Sequence, residues 1–98
     1  MTNFHEHKLW QESYVALMDL ENSDIAPSAK EVAATIADSL TRADRRIARE
    51  LLQVAVGLVA KTRTELAVAW GRGLMDDETF KKLDDKYAAL SSSLQSFR

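Results

Sequence analysis

The residues that could support catalysis or metal binding are few in this chain of 98 residues. The two histidines, His5 and His7, stand two positions apart, so on a helix they point to different sides and do not form a metal-binding pair. No other histidine is present to act as the base for a serine nucleophile. Cysteine is absent, which excludes thiolate metal sites and cysteine nucleophiles. We therefore expect no enzymatic activity, no cofactor, no metal site and no small-molecule substrate.

One cluster of arginines has a spacing that suits binding rather than catalysis. Residues three and four positions apart project to the same side of a helix, and this spacing relates Arg42, Arg45, Arg46 and Arg49. These side chains could contact the phosphates of a nucleic acid, or they could pair with acidic side chains of neighbouring helices or subunits. Arginines near the start of a helix oppose its dipole, which favours an anion or an acidic partner opposite them.

Charge is unevenly distributed along the chain, although the formal net charge is only −2. Residues 1–41 carry two lysines and seven acids, whereas residues 42–72 carry seven basic side chains and three acids. A basic segment within an acidic chain indicates either complementary packing of helices and subunits or a local phosphate-binding patch. An interaction scaffold and a nucleic-acid-binding protein both remain open as interpretations.

Composition indicates one folded domain over residues 1–98. Hydrophobic residues make up 46% of the chain and charged residues 29%, with only three glycines and one proline. This balance is typical of a helical domain rather than a turn-rich β domain. No stretch is long and apolar enough for a membrane-spanning helix, and the first ten residues lack the apolar core of a signal peptide. We therefore expect a cytoplasmic protein with no membrane partner.

The periodicity of apolar residues predicts helices that position these side chains. The first is expected over about residues 5–21, with one apolar face made of Trp10, Tyr14, Leu17 and Met18. A capping box formed by Ser28 and Glu31 predicts a short second helix that begins near Ala29. A further start signal predicts a break near residues 40–42, with Thr41 as the N-cap of the next helix.

The last two helices are expected to be longer. The third covers about residues 43–71, and its first apolar stripe is expected in the core: Ile47, Leu51, Val54, Leu58, Thr62, Leu66 and Ala69. A second stripe widens the apolar surface, which indicates either a central position of the helix in the bundle or a subunit interface. We assign this stripe to an oligomer interface: Leu52, Val56 and Val59. Asp76 caps a fourth helix with a regular apolar seam: Phe80, Leu83, Tyr87, Leu90, Leu94 and Phe97. We predict an all-α, antiparallel up-down four-helix bundle with short helices 1 and 2 and long helices 3 and 4.

Several segments follow patterns of a known family. Residues 36–42 are similar to the pattern I-A-E-G-x-x-R, and residues 51–58 are similar to F-L-x-I-A-L-G-S. Residues 64–66 are similar to T-Q-L, residues 73–80 to G-Y-L-S-E-E-E-F, and residues 10–11 to the W-Q that opens a first helix. In this order the segments resemble the bacterial four-helix-bundle proteins that are encoded in intervening sequences of large-subunit (23S) ribosomal RNA genes.

The resemblance implies an up-down bundle without catalytic activity that assembles into a homo-oligomer, with a pentamer favoured. It also implies kinship with the accessory protein of diversity-generating retroelements, in which a basic surface binds RNA and the reverse transcriptase. We therefore expect an oligomeric accessory protein that uses the four arginines to contact RNA or a nucleic-acid-processing protein. The alternative is a structural or protein–protein interaction scaffold that binds no nucleic acid.

Overall fold

The computed structural model describes residues 3–97, and this part of the chain is entirely helical. It contains α1 (Lys8–Met18), α2 (Ala26–Thr41), α3 (Arg45–Gly71) and α4 (Asp77–Ser96), with a 3₁₀ turn at Phe4–Glu6. Both α1 and α3 pack against α2 and α4, in a bundle with dimensions of 44 × 19 × 18 Å. The prediction of an all-helical fold with four helices is confirmed. Within these residues no helix combines the length and the apolarity needed to cross a membrane.

The first helix is shorter than predicted because a polar side chain caps its start. The Nδ1 atom of His7 accepts a hydrogen bond from the Leu9 N–H at 3.1 Å, and the regular helix begins one residue after this cap. The predicted apolar face is rotated, since Tyr14 is 42% exposed. The face that the helix buries consists of Leu9, Ser13 and Ala16. The Trp10 ring packs against the core and stacks on the exposed ring of Tyr14 with centroids 5.0 Å apart.

The second helix begins earlier than predicted and without a capping box. Its N-cap is Ile25, which has no side-chain hydrogen bond, and Pro27 lies in the first turn, where a missing N–H is tolerated. The buried hydroxyl of Ser28 donates instead to Glu65 Oε2 on α3, at 2.8 Å, so the predicted Ser28–Glu31 capping box is wrong. Burial explains the change, because a buried hydroxyl needs a partner and Glu65 provides one.

The break between α2 and α3 lies where the sequence predicts it, but a different residue caps the new helix. Helix α2 ends at Thr41. The Asp44 side chain then accepts hydrogen bonds from the Arg46 and Ile47 N–H groups, at 2.9 and 3.3 Å. Asp44 is therefore the N-cap of α3, in place of the predicted Thr41.

Helix α3 buries Thr62 and Leu66 of the predicted stripe, but its N-terminal half turns a different side toward the core. Its buried residues are Leu52, Ala55, Val59, Thr62 and Leu66. Leu52 and Val59 are 4% and 1% exposed, so they have no free surface for a second copy, and Val56 is half-buried against the same core. This corrects the predicted oligomer interface. Val54, which was expected in the core, is 52% exposed. Both stripes satisfy the helical period, so packing against α2 and α4 decides which one faces inward.

The central part of the apolar seam predicted for α4 is confirmed. The buried residues of this helix are Leu83, Tyr87, Leu90 and Leu94. The two ends of the seam are less covered, because Phe80 is half-buried and Phe97 is 39% exposed. The turn before α4 contains Gly73 at φ +76°, a left-handed conformation that glycine adopts without strain. Asp76 then caps the helix, as predicted, by accepting the Thr79 N–H at 2.7 Å.

Candidate functional site

The four predicted arginines come together around one groove at an end of the bundle. The end of α2, the start of α3 and the end of α4 line this groove, which has a volume of about 710 Å³. Its rim includes Arg42, Arg45, Arg46 and Arg49. All four arginines are exposed. We call this feature the arginine groove.

Only one of these arginines has an acidic partner in the part of the chain that the structure describes. The Nε and Nη2 atoms of Arg42 donate to the two carboxylate oxygens of Asp38, at 2.8 and 3.3 Å. This pair raises the pKa of Arg42, first through the hydrogen bond and then through the charge of Asp38. Within residues 3–97, no carboxylate oxygen lies within 4 Å of the guanidinium nitrogens of Arg45, Arg46 or Arg49. These three arginines therefore keep their donors available to a ligand.

Local structure adds to the positive potential of the rim. Arg45 and Arg46 are the first two residues of α3, where the helix dipole also places partial positive charge. Two acids moderate it: Asp44 caps the helix, and Glu50 also lines the groove. The site is therefore a local cluster of guanidinium groups rather than a broad basic surface. Such groups match the geometry of phosphate and carboxylate oxygens.

The base of the arginine groove is apolar. Leu52 and Leu94 line it and are 4% and 2% exposed, while Leu40 lies half-buried beside them. At the edge, the rings of Phe97 and His7 meet edge to face with centroids 5.2 Å apart. An occupant of this groove can therefore combine anionic groups at the rim with an apolar or aromatic group at the base.

Sequence reasoning missed the residues that α1 and α4 bring to the groove. His7 and Phe97 lie at opposite ends of the described chain, and no local pattern relates them. The only sequence signal is that Phe97 ends the apolar seam of α4 beyond the last core leucine. Leu52, which was assigned to an oligomer interface, forms part of the base of the groove.

The segment that follows the C-terminal end of α3 carries three consecutive acids and an exposed apolar tip. The turn from α3 to α4, residues 73–78, contains Asp76, Asp77 and Glu78 in succession, and we call it the acidic turn. Leu74 at its tip is 75% exposed. Beside it, Trp70 stacks on Phe80 with ring centroids 4.6 Å apart. The Trp70 Nε1–H donates to Asp77 at 2.7 Å, which holds this carboxylate in place.

The remaining titratable groups offer no candidate metal site in the part of the chain that the structure describes. The described residues contain no group of three or more histidines and acids arranged to hold a metal ion. The hydroxyl of Tyr87 is buried and has no hydrogen-bond partner among residues 3–97. Burial, with a smaller contribution from the charge of Asp19, raises the pKa of Tyr87 to about 12. This hydroxyl therefore stays protonated at neutral pH.

The chain was compared with known protein families, curated proteins and solved structures. No family model, no curated protein and no solved structure matches the chain. The resemblance to the ribosomal intervening-sequence proteins stays a prediction.

Proposed function

We propose that the protein is a non-enzymatic, homo-oligomeric accessory that binds RNA phosphates through the arginine groove. The observation that supports this proposal concerns three arginines at the rim, Arg45, Arg46 and Arg49. Their guanidinium groups form no ion pair with a carboxylate among residues 3–97. Unpaired guanidinium groups at a helix start favour an anion between them. The resemblance described above suggests RNA as the source of that anion and a pentamer as the assembly.

We infer an antiparallel up-down order for the four helices. Contacts between helices support it: the Ser28 hydroxyl donates to the Glu65 carboxylate, and the Ser39 hydroxyl donates to the main-chain carbonyl oxygen of Ala48, so α2 and α3 pair in opposite directions. Likewise, Arg63 pairs with Asp84 and Trp70 stacks on Phe80, so α3 and α4 also pair in opposite directions. In this order the arginine groove and the acidic turn occupy opposite ends of the bundle.

Single-stranded RNA fits the groove better than a duplex does. Proteins recognise single strands by stacking unpaired bases on aromatic side chains while basic groups bind the backbone. Phe97 is 39% exposed and lines the same groove as the four arginines, so the groove offers a strand both an aromatic ring and guanidinium groups. A duplex keeps its bases stacked inside and would use only the rim.

The proposal is tested by measuring the binding of a labelled single-stranded RNA by fluorescence anisotropy at several salt concentrations. For the variant Arg45→Glu/Arg46→Glu, we expect affinity to fall and the slope of log K against log salt to weaken by about 1.4, about 0.7 for each lost phosphate contact. Glutamate is favourable in the first turn of a helix, so the variant is expected to fold. The control Lys81→Glu/Lys82→Glu makes the same charge change on α4 and is expected to keep most of the affinity. Unchanged affinity and slope in the arginine variant would exclude the groove as the RNA site.

The second candidate function is an interaction scaffold that binds no nucleic acid. Two observations favour it: the chain has a net charge of −2, and the base of the groove consists of leucines. Native mass spectrometry of the protein purified at low salt separates the candidates. Copurified nucleic acid, whether on an oligomer or on single chains, supports the accessory function. An oligomer without nucleic acid that dissociates in the Arg45→Glu/Arg46→Glu variant supports the scaffold.

A further inference from the structure

We propose that the acidic turn of one copy of the protein seats in the arginine groove of a second copy. The two surfaces are complementary in charge and in apolar character, and they lie at opposite ends of the same molecule. If the proposed function is right, self-association and RNA binding compete for the same arginines. The contact between copies itself does not depend on that function.

The acidic turn has the form of a ligand. Leu74 is 75% exposed at its tip, more than any other large apolar side chain in residues 3–97. Three consecutive acids follow at positions 76–78. Two of their carboxylates are already oriented, because Asp76 accepts the Thr79 N–H at 2.7 Å and Asp77 accepts the Trp70 Nε1–H at 2.7 Å. A carboxylate has further lone pairs for other donors, so both can also accept hydrogen bonds from arginine.

The arginine groove has the matching form of a receptor. Among the apolar residues that line it, Leu40 is half-buried and Phe97 is 39% exposed, so these two side chains offer Leu74 an apolar environment in place of water. Its rim offers Arg45, Arg46 and Arg49 to the three acids. Charge-assisted bonds between guanidinium and carboxylate groups are among the stronger hydrogen bonds in proteins. The acidic turn and the arginine groove are therefore complementary in both their apolar and their charged groups.

The contact must be between molecules. Helix α3 has 27 residues, with the rim arginines at its start and the acidic turn just after its end. At a rise of about 1.5 Å per residue the two ends lie about 40 Å apart, close to the 44 Å length of the bundle. A contact between unlike surfaces of identical copies is heterologous, so it extends into a ring or a filament.

The test uses two variants that each remove one half of the contact. Arg45→Glu/Arg46→Glu removes the receptor, and Leu74→Lys/Glu78→Lys removes the ligand without changing the helix-capping Asp76 or the bonded Asp77. Val15→Lys/Asp85→Lys adds the same charge as the ligand variant at exposed positions in the middle of α1 and α4 and is the matched control. Sedimentation velocity at low ionic strength, where surface charges are little screened, measures the mass of each at rising protein concentration.

We expect the mass of the wild type and of the control to rise with concentration. Each contact variant alone should stay at 11.0 kDa, the mass of one chain. An equimolar mixture of the two variants should form a dimer of about twice that mass and nothing larger, because one intact turn and one intact groove remain. Failure of the wild type to associate would overturn the proposal. Association of either variant alone, or no dimer in the mixture, would also overturn it.

Binding of labelled single-stranded RNA to the same proteins separates this inference from the proposed function. The ligand variant has a complete groove, so it should bind RNA at least as tightly as the wild type, and RNA should dissociate wild-type assemblies. If the mixture forms its dimer but no variant binds RNA, the contact stands and the proposed function fails. If RNA binding depends on the arginines but the mixture forms no dimer, the proposed function stands and this inference fails.

Discussion

The buried hydroxyl of Ser39 donates a hydrogen bond to the main-chain carbonyl oxygen of Ala48 at 2.7 Å. This bond joins the last turn of α2 to the first turns of α3, across the break at residues 42–44. Both residues line the arginine groove. The bond therefore helps to fix the angle at which α3 leaves the junction, and with it the positions of the rim arginines.

Replacing Ser39 with alanine is expected to lower the free energy of unfolding by about 1 kcal/mol, because one buried hydrogen bond is lost. Urea denaturation followed by circular dichroism measures this change. Ser92→Ala, at an exposed position on α4, is the control and should leave the unfolding midpoint unchanged. Equal midpoints for Ser39→Ala and the wild type would show that the junction does not depend on this bond.

Arg42 was predicted on the same helix face as the other three arginines, but it lies at the C-cap of α2. The sequence was sufficient to predict the helical fold and the spacing of Arg45, Arg46 and Arg49 along α3, because both depend on spacing within a helix. The seam of α4 is a clear example, since a single apolar face can only turn inward. The side that the N-terminal half of α3 turns toward the core was not predictable in the same way. Its apolar surface is wide enough for Val54 or Leu52 to face the core, and the choice depends on the shapes of α2 and α4.

Side-chain partners that lie far apart in sequence also escaped prediction. Ser28 and Glu31 match a capping box, but Ser28 bonds Glu65 on α3 instead. A local pattern cannot reveal this competition, because it depends on which helix packs beside the serine. The same limit applies to His7 and Phe97, which only the packing of α1 and α4 brings to the groove.

Removal of the Tyr87 hydroxyl is expected to stabilise the protein. This hydroxyl is buried with no hydrogen-bond partner within residues 3–97, and an unsatisfied buried polar group costs about 1–3 kcal/mol. Tyr87→Phe keeps the ring in the core and removes that cost, so the free energy of unfolding should rise by about 1 kcal/mol. Tyr87→Leu changes the shape of the core and should destabilise the protein. A destabilised Tyr87→Phe variant would mean that the hydroxyl has a partner, such as a buried water molecule.

The same hydroxyl should make the protein sensitive to alkali. Burial raises the pKa of Tyr87 to about 12 in the folded state, above its unfolded value near 10. Between these two pKa values the folded protein holds a proton that the unfolded chain releases. Release of this proton favours unfolding, so the free energy of unfolding is unaffected below about pH 10 and falls as the pH rises toward 12. The stability difference between Tyr87→Phe and the wild type should grow by about 2 kcal/mol from about pH 9 to about pH 11.5. A constant difference would contradict the raised pKa.

The charged N-cap of α4, Asp76, should make the stability of the protein decrease in acid. The hydrogen bond from the Thr79 N–H lowers the pKa of Asp76, so its carboxylate stabilises the fold above the usual aspartate pKa, and this contribution disappears as the pH falls through the lowered value. Asp76→Ala should lower the melting temperature at neutral pH, and the gap to the wild type should close in acid. Asp76→Asn keeps an oxygen that can cap the helix, so it should retain much of the stability without the same pH dependence. A gap that is independent of pH in Asp76→Ala would exclude the charged cap.

The ion pair between Arg63 and Asp84 is expected to contribute more to stability than the other surface pairs. Two parallel bonds of 2.8 and 3.1 Å join the guanidinium to the carboxylate across α3 and α4, and Asp84 is only 24% exposed. A double-mutant cycle with Arg63→Ala and Asp84→Ala should give a coupling energy of about 0.5 kcal/mol that decreases with added salt. Arg63→Lys should recover only part of it, because an ammonium group cannot form the paired bonds. The Lys81–Asp85 pair, 77% and 64% exposed, is the control and should show no measurable coupling. Equal coupling in the two cycles would mean that neither the paired geometry nor the partial burial of Asp84 adds stability.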